Sequence, residues 1–330
     1  MLIQLYPAHS FHQLGRRSNQ EDARFPDVDF PAAESRTFVV CDGVGGLACG
    51  EIASNTVAAS IGAAMTAFGA PETVFTAHDF ADVLARAYSA LESRAGSSAM
   101  ATTLTFVHFH AGGAFTAHIG DSRIYHIRPG VGILHRTYDH SLVNALVRSG
   151  NLSPADAPDH PKGNVITRCM GGRDLSARDA ATAYDIADIQ ADDCFFLCTD
   201  GVLHCIDEEG LCELLESSRP DREKMDVLAQ MCASSSDNNT ATLIRVASVT
   251  DPDREDTDLD DDEELPAGTP TRILSPLPPM SEEVAPAFYG GDDTTWSASD
   301  EYQEDEAYGE DDDEADDDRG PGGFFRRFFS

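Results

Sequence analysis

Four aspartates lie at the ends of segments whose β-branched and apolar residues predict β-strands: Asp42, Asp121, Asp200 and Asp237. Two of them, Asp42 and Asp200, are followed directly by glycine. Carboxylates gathered in one cleft repel one another unless cations lie between them. Oxygen ligands without paired histidine or cysteine favour magnesium or manganese over zinc. The four acids therefore predict a site for hard divalent cations.

Such a site could perform phosphoryl chemistry. Two ions a few ångströms apart can bridge a water molecule, lower its pKa and set it for in-line attack on phosphorus. A cation must then hold the phosphoryl oxygens, and Arg17 is available in a polar segment that also contains Glu21 and Asp22. Taken alone, this segment is typical of a charged surface loop, and a single Asp-Gly pair is typical of an ordinary turn. The interpretation depends on the whole set.

The stretch Phe38–Ser54 is the centre of the predicted arrangement. A β-branched run ends at Asp42, glycines follow from Gly43 to Gly50, and a helix-like run begins near Glu51. Glycines allow backbone oxygens to approach a ligand closely because they have no Cβ. We therefore expect a strand, a tight turn and a helix, with the Asp42 carboxylate in a cleft.

The other predicted elements follow from hydrophobic periodicity and turn signals. They are helices over Ile52–Phe68 and Asp79–Arg94, a hairpin of Thr102–His110 and Ala114–Ile119, a short strand over Val165–Cys169, a buried strand over Asp193–Thr199, helices near Glu208–Glu216 and Arg222–Cys232, and a strand over Ala241–Ser248.

Charge divides the chain into two parts. It has 330 residues and a formal net charge of −35, of which −22 falls from Asp251 onward, with 27 Asp and Glu against 5 Arg. That acidic, proline-rich span cannot bury enough apolar surface to offset its ordering entropy. We predict a globular domain over residues 1–250 and a disordered tail over residues 251–330. Both parts are acidic and would repel nucleic acid.

The tail contains an aromatic and arginine-rich peptide, Phe324–Phe329. After a flexible spacer, such a peptide suggests docking into a groove of a partner protein or, less well, onto a membrane surface. The alternative is a sticky segment without function. The chain has no apolar run of about 18 residues and no signal-peptide pattern. Its eight cysteines form no Cys-x-x-Cys pair, so we expect reduced thiols and a cytoplasmic protein.

Seven segments resemble, in order, the motifs of the PPM family of metal-dependent serine/threonine protein phosphatases, the type 2C phosphatases, in their compact bacterial form. The resemblance covers roughly residues 8–248. The segments are Arg17–Asp22, Asp42–Gly46 with Gly50-Glu51, Ala101–Thr103, Gly120–Arg123, Asp139–Ser141, Thr199–Gly201 and Asp237–Thr240.

The resemblance implies an α+β fold, a four-layer α-β-β-α sandwich of two antiparallel sheets flanked by helices. It implies two manganese or magnesium ions per site. By position, Asp42 would bridge both ions and the Gly43 carbonyl would bind one of them. Asp200 and Asp237 would complete the coordination of the second ion.

The same resemblance assigns the surrounding residues. Glu21 and Asp22 would hold metal-bound waters, and Arg17 would bind the substrate phosphate. Asp121 with Asp200 would form a third metal site. Residues from about 150 to 180 correspond to the family's mobile flap. The implied activity is hydrolysis of phosphoserine and phosphothreonine in proteins by a metal-bridged water, opposing a partner serine/threonine kinase.

Three positions depart from the family pattern. Many animal and plant members have histidine where this chain has Val44, and bacterial members often have histidine where it has Leu47. The residue that protonates the leaving oxygen is therefore undefined. His204 stands where relatives commonly have an acid near the third metal. The resemblance therefore implies an altered third site beside an intact two-metal core.

Other functional classes fit less well. A cysteine-dependent phosphatase needs an arginine six positions after the cysteine, and no cysteine here has one. A phosphatase with an aspartate nucleophile could use Asp27 of the segment Asp27–Asp29, but Phe30 and Pro31 follow where a threonine or valine is expected. The glycine pattern lacks the Gly-Lys-Ser/Thr of a nucleotide loop. The remaining alternative is a phosphatase-like binding or regulatory module that acts through the acidic tail.

Overall fold

The computed structural model describes residues 1–44, 49–66, 68, 73–95, 99–157, 160–172 and 178–250. The acidic tail lies outside these residues. The domain boundary at residue 250 and the disorder of the tail therefore stay predictions.

The described chain contains thirteen strands and six helices. The strands are β1 (Leu2–Leu5), β2 (His9–Gln13), β3 (Asp22–Phe25), β4 (Thr37–Asp42), β5 (Met100–Thr102), β6 (Leu104–His110), β7 (Gly113–Ile119), β8 (Arg123–Arg128), β9 (Gly132–Arg136), β10 (Met170–Gly172), β11 (Thr182–Ile186), β12 (Cys194–Cys198) and β13 (Asn239–Thr250). The helices are α1 (Gly50–Thr66), α2 (Ala77–Ala95), α3 (Leu142–Arg148), α4 (Asp200–Leu203), α5 (Glu208–Glu216) and α6 (Asp221–Cys232).

Two antiparallel sheets form the centre of the fold. One has the strand order β11-β7-β6-β4-β3. The other has the order β1-β13-β12-β8-β9, and β2 also pairs with β13. The short strands β5 and β10 form a separate pair. All of the pairings are antiparallel, as the resemblance implied.

Alternate residues of one strand belong to different apolar layers. In β4, Val39 packs in a cluster with residues of α1 and α2, whereas Val40 packs in the cluster between the two sheets. In β12, Phe195 faces the other sheet, whereas Phe196 packs with residues of α5 and α6. Side chains of a strand alternate between faces, so each sheet is covered on both faces. This confirms the four-layer α-β-β-α sandwich.

A buried ionic network fastens the six-stranded sheet. The Asp193 side chain is fully buried and accepts hydrogen bonds from Arg128 Nε at 2.8 Å, His126 Nε2 at 2.9 Å and the Gln190 N–H at 2.9 Å. Burial alone would raise the pKa of Asp193, but these bonds outweigh it and lower the pKa. Burial lowers the pKa of His126. Asp193 is therefore ionised and His126 neutral in the folded protein near pH 7.

We expect the substitution Asp193→Asn to lower the free energy of unfolding by about 3–5 kcal/mol, because it leaves Arg128 without its buried partner.

The contribution of this network to the free energy of unfolding of the wild-type protein should decrease as the pH is lowered. The unfolded chain takes up a proton on His126 below about pH 6.5 and on Asp193 below about pH 4, before the folded chain does. Urea unfolding at several pH values measures both effects.

The matched control is Asp188→Asn, which removes an exposed partner of the same arginine, 3.1 Å from Arg128 Nη1. An exposed pair contributes at most about 1 kcal/mol. Equal losses in the two variants would contradict the prediction.

Within the described residues, no helix is both long enough and apolar enough to cross a membrane.

Candidate active site

Asp42 and Asp22 lie opposite each other on neighbouring strands. Asp42 is the last residue of β4, and Asp22, the first residue of β3, is its partner in the antiparallel register. The Asp42 N–H donates to Thr103 Oγ1 at 2.9 Å, and its carbonyl accepts from the Thr103 N–H at 2.8 Å. These backbone bonds fix the strand end, so two carboxylates meet at one end of the sheet.

The turn after Asp42 requires glycine. The Gly43 N–H donates to the Glu21 carbonyl at 2.9 Å, and Gly43 also bridges to Thr102. A Cβ on Gly43 would lie 2.6 Å from the backbone of both Glu21 and Gly50, closer than any side chain tolerates. The turn therefore brings the backbone of Glu21, the end of β4 and the start of α1 into close contact, which explains part of the glycine pattern.

Asp22 connects the two sheets. Its side chain is buried, and Oδ2 accepts hydrogen bonds from Thr199 Oγ1 at 3.1 Å and Thr240 Oγ1 at 2.7 Å. Thr199 follows β12 and Thr240 lies in β13, so both belong to the other sheet. Burial raises the pKa of Asp22 to about 8, and the charge of Asp200 adds to the shift, although the Thr240 hydroxyl opposes it. Oδ1 is buried and has no hydrogen-bond partner among the described residues.

Asp200 is the first residue of α4, directly after the strand end at Thr199. Its Oδ1 is also buried without a hydrogen-bond partner in the described part of the chain. Burial raises the pKa of Asp200 and Asp237 raises it further, whereas His204 and a hydrogen bond from Asp42 lower it. Burial also raises the pKa of Asp42 well above its ordinary value, and the neighbouring acids add to this shift. These carboxylates thus lie close enough to perturb one another.

Asp121 joins this group from the turn after β7. Burial raises its pKa to about 8, and the charges of Asp200 and Asp139 contribute. Asp139 itself pairs with Arg123 through two hydrogen bonds of 2.6 Å and 2.7 Å. The structure therefore brings Asp22, Asp42, Asp121, Asp200 and Asp237 to one end of the sandwich.

Arg17 lies beside Asp237. Its Nη2 donates to Asp237 Oδ2 at 2.7 Å and its Nε donates to the Ser236 carbonyl at 3.2 Å. The Arg17 side chain is 46% exposed. Glu21 lies nearby: burial raises its pKa, Arg17 lowers it, and the charges of Glu51 and Asp237 raise it. An exposed guanidinium thus borders the acidic cluster.

Asn238 is a positioning residue to which the sequence analysis assigned no role. Its side chain is buried and joins two loops. Oδ1 accepts from the Glu21 N–H at 2.9 Å, and Nδ2 donates to the carbonyls of Leu14 at 2.9 Å and Asn19 at 3.0 Å. The loop of Arg17 and Glu21 is thereby fastened to the loop of Asp237. In the sequence, the only indication of this role is that an asparagine follows the candidate ligand Asp237. Its hydrogen-bond partners lie more than 200 residues away in the chain, so the sequence does not reveal them.

We expect Asn238→Ala to reduce kcat/KM by about 10²-fold, because a misplacement of about 1 Å can cost that much. Stability should fall by about 1–3 kcal/mol because buried backbone groups lose their partners. Steady-state kinetics and urea unfolding measure the two effects. Asn238→Asp keeps the acceptor for the Glu21 N–H but turns an oxygen toward the carbonyls of Leu14 and Asn19, so we expect it to lose at least as much activity as the alanine variant. Wild-type kinetics in the alanine variant would contradict this role.

Comparison with known proteins decides the family. The chain matches the family model for protein phosphatase 2C over residues 16–245. It is 31% identical over 234 residues to the protein phosphatase PhpP of Streptococcus pneumoniae, a match that covers 69% of this chain and 92% of that protein. The chain belongs to the protein phosphatase 2C family. Members of this family are metal-dependent protein serine/threonine phosphatases, and the resemblance to the PPM family is confirmed.

Solved structures agree with the fold of this phosphatase. The Mycobacterium tuberculosis serine/threonine phosphatase PstP/Ppp superposes with a TM-score of 0.63 and 26% identity, covering 74% of this chain and all of that chain. The catalytic domain of PstP in complex with two manganese ions superposes with a TM-score of 0.58 and 25% identity, over 74% of this chain.

The site residues of this phosphatase suit a hard divalent cation. The side-chain donors are carboxylate oxygens, and two buried ones, on Asp22 and Asp200, lack hydrogen-bond partners among the described residues. Leaving a buried carboxylate oxygen unpaired is costly unless a ligand compensates. Across the described ranges, no three Asp, Glu, His or Cys side chains form a metal cluster by themselves. A backbone carbonyl, such as that of Gly43, and water would have to complete any coordination shell.

The departures from the family pattern lie around this site. Val44 is partly buried, and its N–H donates to the Ala101 carbonyl at 2.9 Å. Leu47 lies outside the described residues, as do Gly45 and Gly46. His204 is exposed, and its N–H donates to the Asp200 carbonyl at 3.0 Å.

The segment that corresponds to the flap is attached to the domain at several described places. Ile166 bridges to Ser141 beside α3, β10 pairs with β5, and Arg178 Nη2 pairs with Glu92 Oε1 of α2 at 2.8 Å. The mobility of this segment stays a prediction.

Proposed function

We propose that this phosphatase hydrolyses phosphoserine and phosphothreonine esters of proteins at the end of the sandwich where Asp42 lies. The observation that supports this most is the meeting of carboxylates from both sheets beside an exposed arginine; two of them, Asp22 and Asp200, each have a buried oxygen without a hydrogen-bond partner among the described residues. Arginine at the rim can hold a phosphate dianion, while the acids below it can hold divalent cations.

We assign the cation ligands as follows. The Asp42 carboxylate would hold both of two manganese or magnesium ions, the Gly43 carbonyl would hold one of them, and Asp200 and Asp237 would hold the second. Glu21 and Asp22 would hold metal-bound waters, and Asp121 with Asp200 would provide a third, weaker site. When bound, the ions supply an activated water and neutralise charge on the phosphoryl group.

The chain's own residues orient the substrate. Arg17 offers Nη1, which has no hydrogen-bond partner among the described residues, to a phosphoryl oxygen, while Asp237 and the Ser236 carbonyl hold the rest of the guanidinium. Asn238 keeps this loop in place. Pairing with Arg17 positions the phosphorus for in-line attack.

The proposed partners are phosphoproteins and a serine/threonine kinase whose action this phosphatase opposes. We propose that the acidic tail recruits a protein partner through the peptide Phe324–Phe329. A cytoplasmic location stays a prediction.

The test is hydrolysis of an aryl phosphate and a phosphothreonine peptide by the full chain, with manganese, with magnesium and with chelator. We expect turnover with either metal and none with chelator. Absence of turnover from folded, metal-loaded protein would overturn the proposal and favour the alternative of a binding or regulatory module.

Deletion of residues 251–330 is expected to leave aryl phosphate turnover within about twofold of the full chain. The reason is that every assigned site residue lies between Arg17 and Asp237. Turnover of the natural phosphoprotein should fall if the tail recruits it. Loss of soluble, folded protein on deletion would contradict the predicted domain boundary.

A further inference from the structure

A histidine from another loop holds the backbone of the turn Gly120–Ser122, which we call the Asp121 turn. Gly120 donates its N–H to His140 Nδ1 at 3.1 Å, and its carbonyl accepts from the His140 N–H at 2.9 Å. Gly120 has a φ of +101°, and a Cβ there would lie 2.6 Å from the Thr103 side chain. His140 therefore satisfies both polar backbone groups of a residue whose conformation requires glycine.

The bond from Gly120 fixes the position of the proton on the His140 ring. A backbone N–H can only donate, so Nδ1 is the unprotonated acceptor and the ring proton lies on Nε2. Burial, and next the neighbouring His118, lower the pKa of His140 to about 3, so the ring is neutral at pH 7. Nε2 then donates to Thr182 Oγ1 of β11 at 2.9 Å. The ring thus connects the Asp121 turn to β11.

The same residue contacts the segment that corresponds to the flap. The His140 carbonyl accepts from the Thr167 N–H at 2.7 Å, and the following residue, Ser141, bridges to Ile166. The His140 ring also stacks on His118, with ring centroids 4.4 Å apart and an interplanar angle of 11°. His140 is therefore held in one orientation by the elements around it.

The other side of the Asp121 turn is held as well. Ser122 Oγ lies 2.7 Å from Thr103 Oγ1, and Thr103 Oγ1 accepts from the Asp42 N–H at 2.9 Å. The Asp121 backbone is thereby fixed between a bond network that leads to Asp42 and one that leads, through His140, to β11 and residues 166–167.

This support opposes an electrostatic force. After burial, the charge of Asp200 makes the largest contribution to the raised pKa of Asp121, which means that the two carboxylates repel each other when both are ionised. Bonds to the backbone of the Asp121 turn keep Asp121 near Asp200 in spite of this repulsion.

We propose that His140 is a positioning residue for the phosphatase reaction, whose ring holds Asp121 at the place from which that carboxylate acts. This role rests on the proposed function, in which Asp121 with Asp200 would provide the third cation site. His140 acts through Asp121 and not on the substrate.

The first test is aryl phosphate turnover by the full chain with manganese. His140→Phe keeps a flat ring for the stack on His118 but has no ring nitrogen, and we expect kcat to fall about tenfold or more, within the cost of a misplacement of about 1 Å. His140→Asn retains an acceptor near the place of Nδ1, so it should recover kcat to within about threefold of wild type, because the Gly120 N–H keeps a partner. Wild-type kcat in His140→Phe, or an equal loss in the two variants, would overturn the proposal.

A double-mutant cycle separates positioning from a general effect on the fold. In an Asp121→Asn background, His140→Phe should lower kcat by less than about twofold, because the carboxylate that it positions is already absent. An equal loss in both backgrounds would overturn the proposal, since His140 would then act without Asp121.

The matched control is His135→Phe, the same change at a partly buried histidine of β9. His135 Nε2 has no hydrogen-bond partner among the described residues. Its kcat should stay within about twofold of wild type. A loss equal to that of His140→Phe would show a nonspecific effect and overturn the proposal.

Amide hydrogen exchange in chelator tests the same role without turnover. We expect the Gly120 amide to exchange at least about tenfold faster in His140→Phe than in wild type, and at close to the wild-type rate in His140→Asn. Equal exchange in wild type and His140→Phe would overturn the proposal and leave the proposed function intact. Folded, metal-loaded wild type that shows the expected exchange but no turnover would instead overturn the proposed function, and with it this role in the reaction.

Discussion

Replacing Asp200 with asparagine is expected to reduce phosphatase turnover by about 10³-fold or more while leaving the protein folded. Asparagine keeps the shape but removes the negative charge that holds a cation and balances the charge on the reacting phosphoryl group. Stability in chelator should stay equal or rise, because Asp200 is one of several acids whose mutual repulsion raises their pKa values. The measurements are kcat with a phosphothreonine peptide and the melting temperature. Asp42→Asn should behave in the same way.

The matched control is Asp226→Asn, which makes the same chemical change on the exposed face of α6. Its turnover should remain within about twofold of wild type, as expected for a surface substitution. Wild-type turnover in Asp200→Asn or Asp42→Asn would contradict the site assignment. Loss of folded structure in both would instead show that the acids serve the fold.

Manganese is expected to raise the melting temperature strongly, and the increase should grow from pH 6 to pH 8. A ligand at 100 times its Kd stabilises the folded state by about 2.7 kcal/mol. For a domain of this size, each kcal/mol corresponds to about 2–4 °C. Differential scanning fluorimetry with manganese or chelator measures the change and does not depend on turnover.

The pH dependence follows from the raised pKa values of Asp22 and Asp121, each about 8 when folded. Between about pH 4 and pH 8 the folded chain retains protons that the unfolded chain has lost, so stability in chelator falls as pH rises. Manganese competes with those protons, and its stabilising effect therefore increases over the same range. The prediction would be contradicted if the manganese-induced rise in melting temperature were independent of pH, or if the rise were the same in Asp42→Asn as in wild type.

Much of the fold could be predicted from the sequence because long elements carry strong periodicity. The two long helices are predicted within two residues of α1 and α2, and the hairpin of β6 and β7 is predicted nearly in full. The strand predicted over Val165–Cys169 is wrong. The structure has only a bridge at Ile166, and β10 begins at Met170. A three-residue edge strand has too little pattern to mark its ends.

Short elements were missed for a related reason. The strands β9 and β11 are only partly buried, so hydrophobic alternation is weak in both. The helix α4 has four residues and starts at Asp200, directly after a strand. Such elements form because neighbouring strands and loops provide hydrogen bonds to their backbone N–H and C=O groups. The local sequence contains no pattern that predicts these hydrogen bonds.

The sequence by itself determined the family, the order of the acidic motifs and the oxygen chemistry of the site, because these depend on residue types and local spacing. Only the tertiary structure decided that Asp22 lies opposite Asp42 and bonds to Thr240, 218 residues away. It also decided that Asn238 joins the loops of Arg17 and Asp237. Strand register and the packing of the two sheets set these contacts, and neither is encoded within one segment.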